Sequence, residues 1–163
     1  MNKAIIERYN KVVDVLDTVY VLGDLCLGGG SDEVQKLNKC LIEQMNGRLT
    51  IILGNHDTPA RIEMYKRCKN VEKIVYADML KYGKYHFYLS HYPTITTNFD
   101  DDKPLKARTL NLYGHTHQGT NFYFDCPYNY HVGVDSHNCE PVSIDTVIED
   151  MKEYYNTFLH IPS

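Results

Sequence analysis

No stretch of the 163-residue chain strings together more than a few apolar residues, so the sequence holds no transmembrane helix. It also lacks the basic-then-apolar leader that marks secreted proteins. Glycine and proline are sparse, at ten and six residues, which excludes collagen-like and low-complexity readings. There is no basic excess: the formal charge is −4, which argues against a nucleic-acid binder working through a broad positive surface. The cysteines (Cys26, Cys40, Cys68, Cys126, Cys139) are odd in number and show no CxxC spacing. Reduced thiols in a cytoplasmic protein are therefore expected. What remains is ordinary globular composition, with 43% apolar and 23% charged residues, and a conspicuous eight histidines. A chain of this length makes one domain, taken here as residues 1–163, able to bury roughly 70% of its unfolded surface without staples.

Periodicity places the elements. Ile5, Tyr9, Val12 and Leu16 form an apolar stripe that predicts a helix over 2–16, with Asn2 as N-cap. Thr18–Leu22 is β-branched and almost wholly apolar, as a strand covered on both faces would be, and it stops at Gly23-Asp24. After the Gly28–Gly30 loop, Ser31 caps a helix carrying Val34, Leu37, Leu41, Ile42 and Met45. Leu49–Leu53 is a second buried strand, followed by Gly54-Asn55-His56-Asp57. Thr58-Pro59 then opens a helix to about Lys69. Strands are predicted at 74–76, 79–82 and 85–89, with a hairpin turn at Tyr82-Gly83-Lys84. A polar loop over 98–108 leads to strands at 110–113 and 128–134. The closing helix over 144–158 carries Ile144, Val147, Ile148 and Met151 on its apolar side. Helices alternating with strands, then a strand-rich second half, predict an α/β architecture of helix layers on mixed sheet.

Polar clusters stand where predicted strands end: Gly23-Asp24, Gly54-Asn55-His56-Asp57, Ser90-His91 and Gly114-His115-Thr116-His117. Residues at the carboxyl ends of sheet strands converge on one crevice. A carboxylate, an amide oxygen and imidazoles together suit Mn, Fe, Zn, Co or Ni better than Ca or Mg. Each cluster alone is an ordinary turn or a satisfied histidine; their coincidence in this order is what carries the signal. Lys66-Arg67-x-Lys69 and the stretch 103–108 read as solvated faces rather than phosphate contacts. His86 reads as structural, and His131 and His160 carry no signal. Tyr92 and Tyr113 lie near the clusters, where packing is a simpler role than stacking on a base.

In this order and spacing the four motifs resemble the calcineurin-like metallophosphoesterase superfamily, most closely its small bacterial and phage-type members. Val132-Gly-Val-Asp135, ahead of the last helix, extends the resemblance to nearly the whole chain. The resemblance implies a β-sandwich flanked by helices and two metal ions about 3.5–4 Å apart. By position, Asp24 would bridge the ions, Asn55, His91 and His115 would complete the second, and His117 would serve the first. His56 matches the family's substrate-facing catalytic histidine, and Asp57 would orient it. The implied activity is hydrolysis of a small phosphate ester or nucleotide phosphodiester by a metal-activated water, manganese being the favoured ion.

The family's first motif, Asp-x-His at the end of its first strand, is absent; no histidine precedes His56. The first metal then keeps only Asp24 and His117, so that one ion rather than two is an open expectation. The missing strand leaves a gap or raw sheet edge that another chain, such as a second copy, or a neighbouring segment could cover. A misplaced start or a piece of a longer enzyme, a natural short form with altered metal use, and a non-catalytic metal-binding or interaction module on a decayed phosphoesterase fold all remain open. Asp125, Asp135 and His137 are further side chains that could act as ligands or stand as solvated turn residues.

Overall fold

The computed structural model describes residues 3–26, 28–29, 31–96, 103–117 and 119–159. The Asn2 cap, Gly30, positions 98–102 of the polar loop and His160 lie outside the described residues. Helix α1 (Lys3–Val12) packs through Ile6, Tyr9 and Val13, one step out of phase with the stripe read from the sequence. Ile5, Val12 and Leu16 face solvent. Polar contacts set this rotation. The Tyr9 hydroxyl donates to the Asn46 carbonyl at 2.8 Å, Asn10 Nδ2 donates to the Gln44 carbonyl, and Asn46 N–H returns to Asn10 Oδ1. With Tyr9 anchored, Ile6 and Val13 are the neighbours that meet Met45 and Val19.

Strands β1 (Thr18–Leu22), β2 (Arg48–Ile52) and β3 (Val71–Val75) form a parallel sheet in that order. Parallel neighbours need crossovers, and α2 (Asp32–Ile42) and α3 (Pro59–Tyr65) supply them. Ser31 caps α2 by accepting Val34 N–H; Thr58 caps α3 by accepting Arg61 N–H, with Pro59 in the first turn where its missing N–H costs nothing. Helix α3 ends at Tyr65, short of Lys69, the chain continuing in turns. Among the described residues β1 is paired along one edge only.

After Tyr76 the chain enters a second sheet. Strands β4 (Ala77–Tyr82) and β5 (Tyr85–Ser90) make an antiparallel hairpin; β6 (Thr109–Tyr113) and β7 (Asn129–His131) add on in parallel. Leu22 and Ile52 of the first sheet share one apolar cluster with Phe87, Leu89, Leu110, Leu112 and Tyr130 of the second. Val147, Ile148, Met151 and Tyr155 of the last helix, α4 (Ile144–Leu159), join that cluster. The other face of β2, Leu49 and Ile51, packs under α2 and α3 through Ile42, Met64 and Tyr65. The chain is thus the α/β sandwich with flanking helices that the motifs implied. Among the described residues no helix is long and apolar enough to cross a membrane.

One side-chain expectation is corrected. Arg108 is not part of a solvated face: it is buried, its Nε donates to the Lys103 carbonyl, and its guanidinium lies 4.3 Å from the centre of the Tyr128 ring. His131, which carries no signal in the sequence, is buried against the ring of Tyr113.

Candidate metal centre

Strands β1, β2, β5 and β6 deliver their carboxyl ends to one place, and glycine lets the loops meet there. Gly23 has φ +96°, and a Cβ on it would run into the His91 ring. A Cβ on Gly54 would overlap the Asp24 carboxylate, and one on Gly114 would press on the Leu22 carbonyl oxygen. Asp24, His115 and His117 themselves have left-handed φ values of 54°, 58° and 44°. Such backbone is unfavourable for residues with a Cβ and tends to persist where function holds it.

His91 is the hub. It is 3% exposed, and its Nδ1 lies 2.8 Å from the Leu22 carbonyl oxygen. A carbonyl only accepts, so Nδ1 carries a proton, and in the Nδ1–H tautomer Nε2 presents a lone pair. Around that lone pair stand Asn55 Oδ1 at 2.8 Å, His115 Nδ1 at 3.1 Å and Asp24 Oδ2 at 3.4 Å. The ligand atoms of Asp24, His91 and His115 lie within 4.8 Å of one another. Partial desolvation, and then the neighbouring His91, lower the pKa of His115 against the pull of Asp24, a shift that favours the neutral imidazole. Three lone-pair atoms, Asn55 Oδ1, Asp24 Oδ2 and His91 Nε2, crowd here, and a shared cation would relieve their repulsion. Donors adjacent on an ion with bonds of about 2.1 Å stand about 3 Å apart, so the set fits a transition-metal ion.

Beneath the donors the loops are pinned by groups turned away from the His91 lone pair. Asp57 Oδ2 accepts the backbone N–H of Gly54 at 2.8 Å and of Asp24 at 3.1 Å. Its Oδ1 accepts the hydroxyl of Tyr65 at 2.7 Å. Burial and this carboxylate together push the Tyr65 phenol far above its ordinary pKa, so it stays a donor. Asp24 Oδ1 accepts the His56 N–H at 2.9 Å. Arg61, buried, donates to the carbonyls of both His56 and Gly28. Arg61 and Tyr65 were not singled out in the sequence. Their signal was there: Asp57, Arg61 and Tyr65 are spaced by four across a helix start, so they share one face.

Of the residues singled out, Asp24, Asn55, His91 and His115 converge. His56 lies on the exposed rim, tied by its backbone. Asp57 is turned under the loops toward Gly54, Asp24 and Tyr65. His117 is exposed, and its Nδ1 meets Asp135 Oδ2 at 2.7 Å. Asp125 instead accepts the Tyr154 hydroxyl, and His137 Nε2 donates to the His131 carbonyl. Tyr92, half exposed, stands edge-on to His115 with ring centres 4.5 Å apart, whereas Tyr113 is fully buried.

Residues 2–126 match the model of the calcineurin-like phosphoesterase superfamily domain. The chain is 32% identical over 157 residues to an uncharacterized protein of Methanocaldococcus jannaschii, covering 91% of this chain and 74% of that one. It is 27% identical over 169 residues to the Gene 66 protein of Mycobacterium phage D29, covering 90% and 82%. Among solved structures, a protein of unknown function from Aquifex aeolicus shares the fold, with a TM-score of 0.64 at 20% identity over 90% of this chain and 82% of that one.

Proposed function

The chain belongs to the calcineurin-like phosphoesterase superfamily, and on that footing we propose that it hydrolyses a small phosphate ester or nucleotide phosphodiester. The metal it needs would be held by Asp24, Asn55, His91 and His115, with manganese the ion of first choice. A further ion sharing Asp24 would draw on His117. The observation that carries the reading is the ring of acceptors around the Nε2 lone pair of His91. A divalent ion supplies Lewis acidity at phosphoryl oxygens and a water-derived nucleophile near neutral pH.

The protein's own residues do the rest. Asp24 is held by the His56 N–H on one oxygen, which leaves the other for the ion. The His56 imidazole stands free at the rim on a peptide fixed at both ends, by Asp24 and by Arg61. In this reading it gives a proton to the leaving oxygen or binds a phosphoryl oxygen. Tyr92 offers an aromatic wall beside His115, suited to the organic part of the ester.

The test is metal content and turnover of a chromogenic phosphodiester with Mn²⁺. Asp24→Ala is expected to lose both, and His56→Ala to keep the ion while losing about 10²–10⁴-fold in turnover. Turnover that survives both substitutions overturns the proposal. Ion binding without any turnover in the unmodified chain replaces it with a metal-binding module.

A further inference from the structure

Beyond the donors around His91 lies a second histidine–carboxylate pair. His117 Nδ1 stands 2.7 Å from Asp135 Oδ2, and the two come from separate parts of the chain. Asp135 sits on the turn Val134–Ser136 after β7, and that turn is built to hold still. Ser136 Oγ and Ser136 N–H both donate to the Gly133 carbonyl, at 3.1 Å each. Because the Ser136 hydroxyl is spent there, it accepts from Nδ1 of buried His131 at 3.0 Å. His137 Nε2 closes the far side of the turn on the His131 carbonyl at 2.9 Å. The glycine at 133 admits the His131 ring where a Cβ would collide with it.

The pair contributes little to stability. The side chains are 78% and 49% exposed, and open ion pairs or hydrogen bonds of that kind are worth little in water. Its effect is on orientation. A carboxylate only accepts, so Asp135 fixes the hydrogen on Nδ1 and leaves Nε2 as the free donor atom of His117. A carboxylate behind a ligating imidazole sets the ring's tautomer and direction and raises its basicity.

We propose that Asp135 is a positioning residue that holds His117 as its Nδ1–H tautomer, with Nε2 presented for a metal ion. The inference rests on the reading of His117 as a ligand. It gives a role to the Val-Gly-Val-Asp segment, which the donor cluster around His91 does not use. The backbone of His117, at φ +44°, gives the side chain a fixed origin, and Asp135 supplies the second fixed point.

Nitrogen-15 NMR of the histidine rings tests this in the metal-free protein near neutral pH. His117 is expected as the Nδ1–H form in the unmodified chain, shifted toward Nε2–H in Asp135→Ala, and restored at least in part in Asp135→Asn, whose amide oxygen still accepts. Thermal midpoints are expected to be the same within error, which a merely structural role would not allow. In Mn²⁺ titrations followed by electron paramagnetic resonance, Asp135→Ala should weaken binding by about 10–100-fold, and His117→Ala by at least as much without abolishing it. The double variant should bind no worse than His117→Ala alone. An unchanged tautomer in Asp135→Ala overturns the inference while leaving the hydrolase reading intact. A double variant weaker than His117→Ala also overturns it, because Asp135 would then be a ligand itself. Full Mn²⁺ binding in His117→Ala overturns the reading of His117 on which the inference stands.

Discussion

The hydroxyl of Tyr65 donates to Asp57 at 2.7 Å from a fully buried position, and that carboxylate in turn holds the backbone of two loops. Tyr65→Phe keeps the ring and removes only the donor. A hydrogen bond to a charged group is worth about 1.5–3 kcal/mol, so a loss of about 2 kcal/mol is expected in urea denaturation. Asp57→Ala strands the Gly54 and Asp24 N–H groups as well, and should cost more than Tyr65→Phe. It should also weaken Mn²⁺ binding in calorimetry. An Asp57→Ala protein with full stability would show that the loops do not depend on it.

Gly54→Ala should abolish metal binding, because the added methyl displaces the Asp24 carboxylate itself. Gly83→Ala is the matched control. Gly83 has φ +56° in the β4–β5 hairpin with open space around it, so only left-handed strain of about 1–2 kcal/mol is expected, with unchanged affinity for Mn²⁺. Equal losses of affinity in the two variants would mean that general destabilisation, not the close approach, sets the effect.

Acid should destabilise the metal-free protein from about pH 6.5 downward. Burial, and then the neighbouring His137, lower the pKa of His131 below its ordinary 6.5 against the pull of Asp135. The unfolded chain therefore takes up a proton first as pH falls. Stability declines from pH 6.5 to the lowered value and levels off beneath it. His115 is shifted in the same direction and adds to the decline. Urea midpoints measured across this range should show a shallower fall in His131→Asn, and the NMR titration of His131 should have its midpoint below 6.5.

Tyr92→Ala should raise KM for an aryl or nucleotide ester about 5–10-fold, the worth of one aromatic contact, while Tyr92→Phe stays near the unmodified value. An alkyl phosphodiester should barely distinguish the three proteins. If aryl and alkyl esters respond alike to Tyr92→Ala, the ring shapes the His115 loop and not the substrate.

Much of the architecture could be read from the sequence because its signals are local. The runs Thr18–Leu22 and Leu49–Ile52 are apolar except at Thr18 and Thr50 because they are covered on both faces, and Ser31 and Thr58 announce their helices by the donors they cap. The clusters that end β1, β2, β5 and β6 gave away the donors around His91 through their order. The failures have a common physical origin in long-range polar contacts. The rotation of α1 is set by Asn46, far along the chain, so the Ile5–Leu16 stripe had no local reason to be wrong. Arg108 reads as a surface charge until Tyr128 and the Lys103 carbonyl are brought to it. The pairing of His117 with Asp135, 18 positions on, follows no helix or strand period.

The donors around His91 do not belong to one sheet. Asp24 and Asn55 follow strands of the first, His91 and His115 strands of the second; the halves meet mainly through apolar packing, joined by the Lys73–Asp78 ion pair, the His91–Leu22 hydrogen bond and the chain crossing at Tyr76. An ion gripped by all four residues would be a clasp across the sandwich, so parting the sheets and releasing the ion would be a single event. At a free ion level a hundredfold above the dissociation constant that linkage adds about 2.7 kcal/mol to the folded state. The melting temperature should climb with Mn²⁺ and stay flat in Asp24→Ala. The protein's lifetime would then follow the metal supply around it, and scarcity of the ion would be felt as unfolding as well as idleness.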